Sequence, residues 1–207
     1  MIKFFQKKNR IVLTVVGLLI FAVLLYLVIP PKFTVVDKIS PDEMVYDETE
    51  LLIKTNKSFN FLPLDSPRLD EFIKEYIFRN YHLDTSIFDI QYKQTPNGYL
   101  AKLYPKFKNI HDECYMTEFY DKDMDIEDYA DEFLIRSREK FLLDIKGEKR
   151  DFEEVLRTGV GIEYQFATIF WLLLQEKGIK SYIEYIDGVY YNVVDGKKFD
   201  IGRNIYH

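Results

Sequence analysis

Residues 150–202, RDFEEVLRTGVGIEYQFATIFWLLLQEKGIKSYIEYIDGVYYNVVDGKKFDIG, decide the fold that the sequence predicts. The spacing of apolar residues over 150–158 predicts a short amphipathic helix, which a glycine-marked turn ends. A more apolar helix is predicted over 162–177, with Gly178 as its C-cap. Strands are predicted over 181–186, 189–194 and 197–201, because Asp-Gly pairs between them form strong hairpin turns. This stretch therefore predicts one buried helix packed against an antiparallel sheet.

The preceding residues predict two further helices and a hairpin. An apolar stripe at helical spacing predicts a helix over 68–81, which packs on a core or, alternatively, offers a groove to a partner. A hairpin is predicted from strands 87–92 and 99–107, because Pro96, Asn97 and Gly98 supply a turn. A long helix is predicted over 125–145. The sequence thus predicts an α+β domain over residues 68–207.

The N-terminal part predicts a membrane anchor. Residues 11–29, IVLTVVGLLIFAVLLYLVI, contain no charge. A helix of this length rises about 28 Å, close to the thickness of a bilayer's hydrocarbon core. Basic residues precede it, so the positive-inside rule predicts a cytoplasmic tail over 1–10 and an extracytoplasmic remainder. The sequence therefore predicts a single-pass cell-membrane protein whose residues 11–29 contact the lipid bilayer and whose residues 30–67 form a juxtamembrane connector.

Two alternatives to an uncleaved anchor remain open. A cleaved signal peptide would have a shorter apolar region and a small-residue cleavage site, and neither is present. A buried helix of a soluble domain is the other alternative, and the uniform hydrophobicity of 11–29 disfavours it.

Charge and cysteine content exclude some classes of partner and linkage. The formal net charge is −6. Because four basic residues precede the predicted anchor, the rest carries about −10, which argues against nucleic acid as a partner. Cys114 is the single cysteine, so the chain forms no intramolecular disulfide. No motif for a metal or a cofactor is found, and none is predicted.

The order of residues in 150–202 resembles the core of the transglutaminase-like superfamily. The residues that match are Leu156, Arg157 and Gly159 before the helix, Ala167 within it, and Gly178 and Ile179 after it. The resemblance implies a papain-like fold in which a helix packs on an antiparallel sheet. It also implies an active site with a cysteine in the first turn of that helix, a histidine on a following strand and an aspartate at the end of another.

The catalytic positions implied by this resemblance are mostly substituted. Glu163, four residues before Ala167, stands at the cysteine position, and Val189 stands at the histidine position, which a longer strand would move to Asp187. Asp200 matches the aspartate. The chemistry of the family needs a thiolate and an imidazole, which glutamate and valine cannot replace. The resemblance therefore implies a degenerate site with no catalytic residue, although another type of enzyme stays open.

Two alternative catalytic arrangements are open from the residues alone. Glu163 and Asp200 could form the carboxylate pair of a glycan-cleaving enzyme; otherwise Glu163 is a helix N-terminal carboxylate and Asp200 a turn residue. His111 and Cys114 could form a relocated dyad or bind a metal; otherwise Cys114 is an isolated thiol.

Four tyrosines of the C-terminal strands are candidate binding residues with Glu163: Tyr182, Tyr185, Tyr190 and Tyr191. Aromatic residues are enriched in interfaces, although strands also favour tyrosine. The sequence favours a membrane-anchored, non-catalytic binding or scaffolding module of the cell envelope, with an envelope protein as partner. The alternatives are the carboxylate enzyme and a component of a secretion or conjugation apparatus.

Overall fold

The computed structural model describes residues 14–18, 20–21, 31–56, 66–110, 114, 124–140, 142–143 and 150–201. The helices are α1 (Ser66–Tyr81), α2 (Ile126–Lys140), α3 (Phe152–Thr158) and α4 (Glu163–Glu176). The strands are β1 (Phe33–Val35), β2 (Thr49–Thr55), β3 (Phe88–Thr95), β4 (Gly98–Pro105), β5 (Leu142–Leu143), β6 (Val160–Gly161), β7 (Tyr182–Ile186), β8 (Val189–Val194) and β9 (Lys197–Phe199). Short 3-10 turns lie at Pro41–Glu43 and Thr85–Ile87. The predicted α+β class is confirmed.

The predicted transmembrane helix over 11–29 is contradicted. In the part of the chain that the structure describes, no helix is long and apolar enough to cross a membrane. Residues 11–13, 19 and 22–29 of the predicted segment lie outside the described residues. The same finding contradicts the predicted single-pass membrane localisation, on which the predicted bilayer contact of 11–29 depended.

A four-stranded antiparallel sheet has the strand order β1-β2-β4-β3. Its first two strands come from the segment predicted as a connector. Alternate residues of β2 are buried, which includes Leu51 and Ile53, so one face of the sheet points to the core. Helix α1 packs there, since the Tyr92 hydroxyl donates to Asp70 Oδ1 at 2.8 Å.

Helix α2 ends earlier than the sequence predicts. The predicted helix over 125–145 stops at Lys140, and β5 follows it. Strand β5 pairs with β6 in parallel, with Leu142 opposite Val160 and Leu143 opposite Gly161. This pairing joins the end of α2 to the turn before α4. It was not predicted, because two-residue strands show no hydrophobic period.

Helix α4 packs on the C-terminal sheet, whose strand order is β7-β8-β9. All residues from Gln165 to Leu174 are buried. The amide of Asn192 on β8 donates to the Ala167 carbonyl at 2.9 Å, and Trp171 Nε1 donates to the Ser181 carbonyl at 2.9 Å. These two bonds fix the helix to the strands that follow it, as the sequence of 150–202 predicts.

One hydrophobic core connects the two main sheets. Its buried members include Leu51 and Leu103 of the four-stranded sheet, Ile73 of α1, Phe170 of α4 and Ile183 of β7. Helix α4 therefore lies between α1 and the C-terminal sheet of β7, β8 and β9.

Candidate functional site

The four candidate tyrosines lie on two opposite faces of the C-terminal sheet. Side chains alternate along a strand, so Tyr190 and Tyr191 point in opposite directions. Tyr190 shares a face with Asn192, whose amide reaches α4. Tyr185 pairs with Tyr190 across the two strands, and their ring centroids are 4.6 Å apart. Tyr185 and Tyr190 therefore lie on the α4 face.

Tyr182 and Tyr191 belong to the outer face. The Tyr182 hydroxyl lies 3.4 Å from Glu184 Oε1, and Glu184 forms an ion pair with Lys198 at 2.8 Å. Tyr191 is the cross-strand partner of Glu184. The structure thus separates the predicted tyrosine cluster into two pairs.

The α4-face pair belongs to a larger cluster of rings, which we call the aromatic patch: Phe78, His82, Tyr164, Tyr185 and Tyr190. Ring centroids are 5.1 Å apart for Phe78–Tyr164 and 6.0 Å for Tyr164–Tyr190. His82 lies 5.9 Å from Tyr185 and 6.0 Å from Tyr190. Tyr185 is 50% exposed and Phe78 is 36% exposed. The patch thus presents aromatic surface to solvent at the first turn of α4.

Glu163 is the first residue of α4 and adjoins the patch. Burial, Tyr185 and the Glu163 carboxylate, in that order, raise the pKa of Tyr190. Val189, the predicted histidine position, is 3% exposed and faces away from α4, since it precedes Tyr190 by one residue on the same strand. The β8 side chain beside Glu163 is therefore Tyr190.

Glu163 is the first residue of α4, whereas Asp200 follows β9. Phe199, the last residue of β9, pairs with Asn192. Asp200 follows at a turn, since the Ile201 N–H donates to the Phe199 carbonyl at 3.1 Å. A carboxylate pair that cleaves glycans needs both groups on the two sides of one bond, about 5–10 Å apart. The carboxylate pair of Glu163 and Asp200 stays a prediction.

A buried polar junction fixes the start of α4. The Asp84 carboxylate, which is fully buried, accepts from the Ser86 N–H at 3.0 Å, from the Ser86 hydroxyl at 2.7 Å and from Gln165 Nε2 at 2.9 Å. The Asp84 N–H donates to the Thr168 hydroxyl at 3.0 Å. Each polar group thus has a partner away from water.

Gln165 connects this junction to the chain before α4. Its Nε2 also donates to the Arg150 carbonyl at 2.8 Å, and its Oε1 accepts from the Ile162 N–H at 3.2 Å. One amide side chain therefore joins Asp84, which caps the 3-10 turn at Thr85–Ile87, to Arg150, two residues before α3, and to the N-cap of α4. This rigid base holds the aromatic patch.

An open groove of about 580 Å³ runs beside the patch along α1. Phe78 and Tyr164 of the patch line it. Its charged lining residues are Asp70, Glu71, Glu75 and Asp84, with Lys74 as the cation. Burial, the Asp84 carboxylate and Tyr190, in that order, raise the pKa of Tyr164, so its hydroxyl is neutral at neutral pH. The groove thus combines aromatic walls with an excess of negative charge.

In the part of the chain that the structure describes, no thiol lies at this site. Cys114 is 3% exposed and belongs to the hydrophobic core, and His111 lies outside the described residues. Burial lowers the pKa of His82, and among the described residues its ring contacts are with Tyr185 and Tyr190. No group of three His, Cys, Asp or Glu side chains in the described part of the chain is arranged to hold a metal.

Phe78, His82, Asp84 and Tyr164 were not predicted as site residues. Phe78 and Tyr164 lie on different helices, and His82 follows α1 at a φ of 55°. Phe78 directly follows Ile77, which belongs to the apolar stripe of α1, but Phe78 itself lies off that stripe. An apolar residue off the core-facing stripe was the one feature of the sequence that indicated an exposed aromatic side chain here. His82, Asp84 and Tyr164 were not predicted because α1 and α4 are far apart in the sequence, and only tertiary packing brings their residues together.

Comparison with protein-family models, curated proteins and solved structures finds no match for this chain. The transglutaminase-like resemblance therefore stays a prediction drawn from residues 150–202. The packing of α4 on an antiparallel sheet is compatible with it.

Proposed function

We propose that this chain is a non-catalytic binding module that holds a protein or peptide partner on the aromatic patch. The observation that supports the proposal is the continuous cluster of partly exposed rings at the start of α4. The resemblance implies a nucleophile at that point, and the chain has Glu163 there.

The physical properties of the patch suit a binding surface. Tyrosine and phenylalanine bury a large area and lose little conformational entropy when a partner binds. The buried junction of Asp84 and Gln165 holds the backbone beneath them in one arrangement. Preorganisation of this kind lowers the entropic cost of binding.

The other functions are less well supported. A carboxylate enzyme would need Glu163 to face Asp200 across one glycosidic bond, whereas the β8 side chain beside Glu163 is Tyr190. The third function, a component of a secretion or conjugation apparatus, assumes that the likeness to the transglutaminase-like superfamily is accidental. A helix α4 that packs away from the C-terminal strands would favour it, whereas α4 packs on these strands. The cell-envelope setting depended on the contradicted membrane helix and is not part of the proposal.

Selection of peptides from a random display library on the wild-type chain tests the proposal. Selected peptides are measured by isothermal titration against the wild type and against a Phe78→Ala/Tyr185→Ala double variant. The matched control is Ile135→Ala, which removes another exposed apolar helical residue, one that is 56% exposed on α2.

We expect binding to the wild type and to Ile135→Ala, and a loss of at least about tenfold in the double variant. Equal binding by all three proteins would contradict the patch as the binding surface. Amide-transfer or peptidase activity that disappears in Glu163→Ala would contradict the non-catalytic assignment.

A further inference from the structure

We propose that the groove beside the aromatic patch binds a lysine or arginine side chain of the partner peptide. This inference rests on the proposed function and specifies its partner chemistry as a basic segment. Its basis is the juxtaposition of carboxylates on α1 with the rings of Phe78 and Tyr164.

The carboxylates of the groove can accept an additional cation. Asp70 forms an ion pair with Lys74 at 2.6 Å, and Glu75 forms one with Arg79 at 2.5 Å, both on the helix surface. Such exposed pairs are individually weak, about 0–1 kcal/mol, so they do not commit these carboxylates to their intrahelical partners. Glu71 is exposed and lines the groove between them. Its side chain is available to the cation of a bound peptide.

The ring walls add a second attraction for a cation. The planes of Phe78 and Tyr164 meet at 71° with centroids 5.1 Å apart, so the two rings form a corner. A guanidinium or ammonium group close to aromatic faces gains about 0.5–2 kcal/mol from the ring quadrupoles. The aliphatic stem of lysine or arginine can pack on the same rings while its charge meets the carboxylates.

Charge complementarity favours a basic peptide segment in the groove over an acidic segment. The surface carboxylates of the groove, Asp70, Glu71 and Glu75, outnumber its one lysine even without the buried Asp84, and the chain as a whole has a formal charge of −6. An acidic segment would meet repulsion both in the groove and at long range, whereas a basic segment would be attracted during association.

Three short fluorescein-labelled peptides test this inference by fluorescence polarisation. They share one framework of glycine, leucine and tyrosine and differ only at the variable positions, which hold arginine, glutamine or glutamate. Each is titrated with the wild-type chain, with Glu71→Lys and with Asp131→Lys. Asp131→Lys is the matched control, because Asp131 is an exposed helical carboxylate that does not line the groove.

We expect the arginine peptide to bind at least about tenfold more tightly than the glutamine peptide, and the glutamate peptide to bind most weakly. Glu71→Lys should reduce the affinity for the arginine peptide about fivefold or more, with little effect of Asp131→Lys. Equal affinity for the three peptides, or equal effects of the two variants, would overturn the inference.

Titration of the same three peptides with the Phe78→Ala/Tyr185→Ala variant separates the two proposals. If the three peptides bind equally but all lose affinity in Phe78→Ala/Tyr185→Ala, the basic-segment inference fails and the binding patch stands. If the double variant changes nothing, the binding patch itself fails.

Discussion

Gln165 connects three separate parts of the chain at the candidate site. Its amide joins Asp84, the Arg150 carbonyl and the Ile162 N–H, and the side chain is fully buried. A side chain that cannot hydrogen-bond at this position removes one bond from each of three groups: the buried Asp84 carboxylate, the partly buried Arg150 carbonyl and the partly buried Ile162 N–H.

Gln165→Leu should therefore destabilise the folded chain by about 2–4 kcal/mol, measured by urea denaturation. The matched control is Gln175→Leu, because Gln175 lies on the same helix and is only partly buried. The control should change the free energy of unfolding by no more than about 0.5 kcal/mol. Equal effects of the two substitutions would show that the junction does not stabilise the start of α4.

His82 gives the patch a pH dependence. Burial lowers the pKa of its imidazole from the ordinary value of 6.5. The unfolded chain then binds a proton at a higher pH than the folded chain, so stability falls as the pH drops below about 6.5. His82→Asn removes this contribution, and asparagine tolerates the φ of 55° at this position.

Urea unfolding at about pH 7.5 and about pH 5.5 measures the difference. The wild type should lose more stability between the two pH values than His82→Asn loses. An equal loss in both proteins would contradict the assignment of this pH dependence to His82.

The hairpin of β3 and β4 depends on close contact between strands at Gly98. A Cβ atom at this position would lie 1.9 Å from the Ile53 carbonyl oxygen of β2. Main-chain atoms of a paired strand cannot move aside without breaking the ladder. Gly98→Ala should therefore destabilise the chain by at least about 3 kcal/mol in thermal or urea unfolding.

Gly196 in the β8–β9 turn is the control for backbone conformation. It has a φ of +79°, and a Cβ atom there would meet nothing within 4 Å. Gly196→Ala should cost only about 1–2 kcal/mol, from the left-handed conformation. If the two alanine variants are equally stable, the contact between Gly98 and β2 is not important.

Elements encoded by local chemistry were predictable. Asp187-Gly188 and Asp195-Gly196 form hairpin turns with positive φ at all four residues, as Asp-Gly pairs favour. The separation of the tyrosines was also predictable, because adjacent Tyr190 and Tyr191 must point to opposite faces of any strand. Strand β1 and the β5–β6 pair were not predictable, since strands of two or three residues contain too few positions to show alternation.

The aromatic patch could not be predicted, since it joins residues far apart in the chain. Phe78 meets Tyr164, and Asp84 meets Gln165 across 81 positions. The local sequence does not indicate which turn of α1 packs against which turn of α4. The polar junction of Asp84 and Gln165 depends on the same long-range packing. Of the five binding residues that the sequence predicts, only Glu163, Tyr185 and Tyr190 lie at the aromatic patch.

Trp171 reports on the whole molecule, since it is the single tryptophan and lies in the shared core. The centroid of its ring is 6.1 Å from that of Tyr46, and the Tyr46 centroid is 5.7 Å from that of Phe88 on β3. Because one core joins the two main sheets, they should unfold together. Tryptophan fluorescence and far-ultraviolet circular dichroism should give coincident urea transitions. Separate midpoints would show that the two sheets unfold independently.

The central claim, that the α4 face of the C-terminal sheet is a binding surface, is tested most directly by hydroxyl-radical footprinting with and without a selected peptide. The two faces of the sheet provide an internal comparison, because Tyr185 and Tyr190 lie on one and Tyr182 and Tyr191 on the other. We expect the peptide to protect Tyr185 and Phe78 and to leave Tyr182 and Tyr191 unchanged. Protection of Tyr182 and Tyr191 instead, or protection of neither pair by a peptide that binds, would contradict the account.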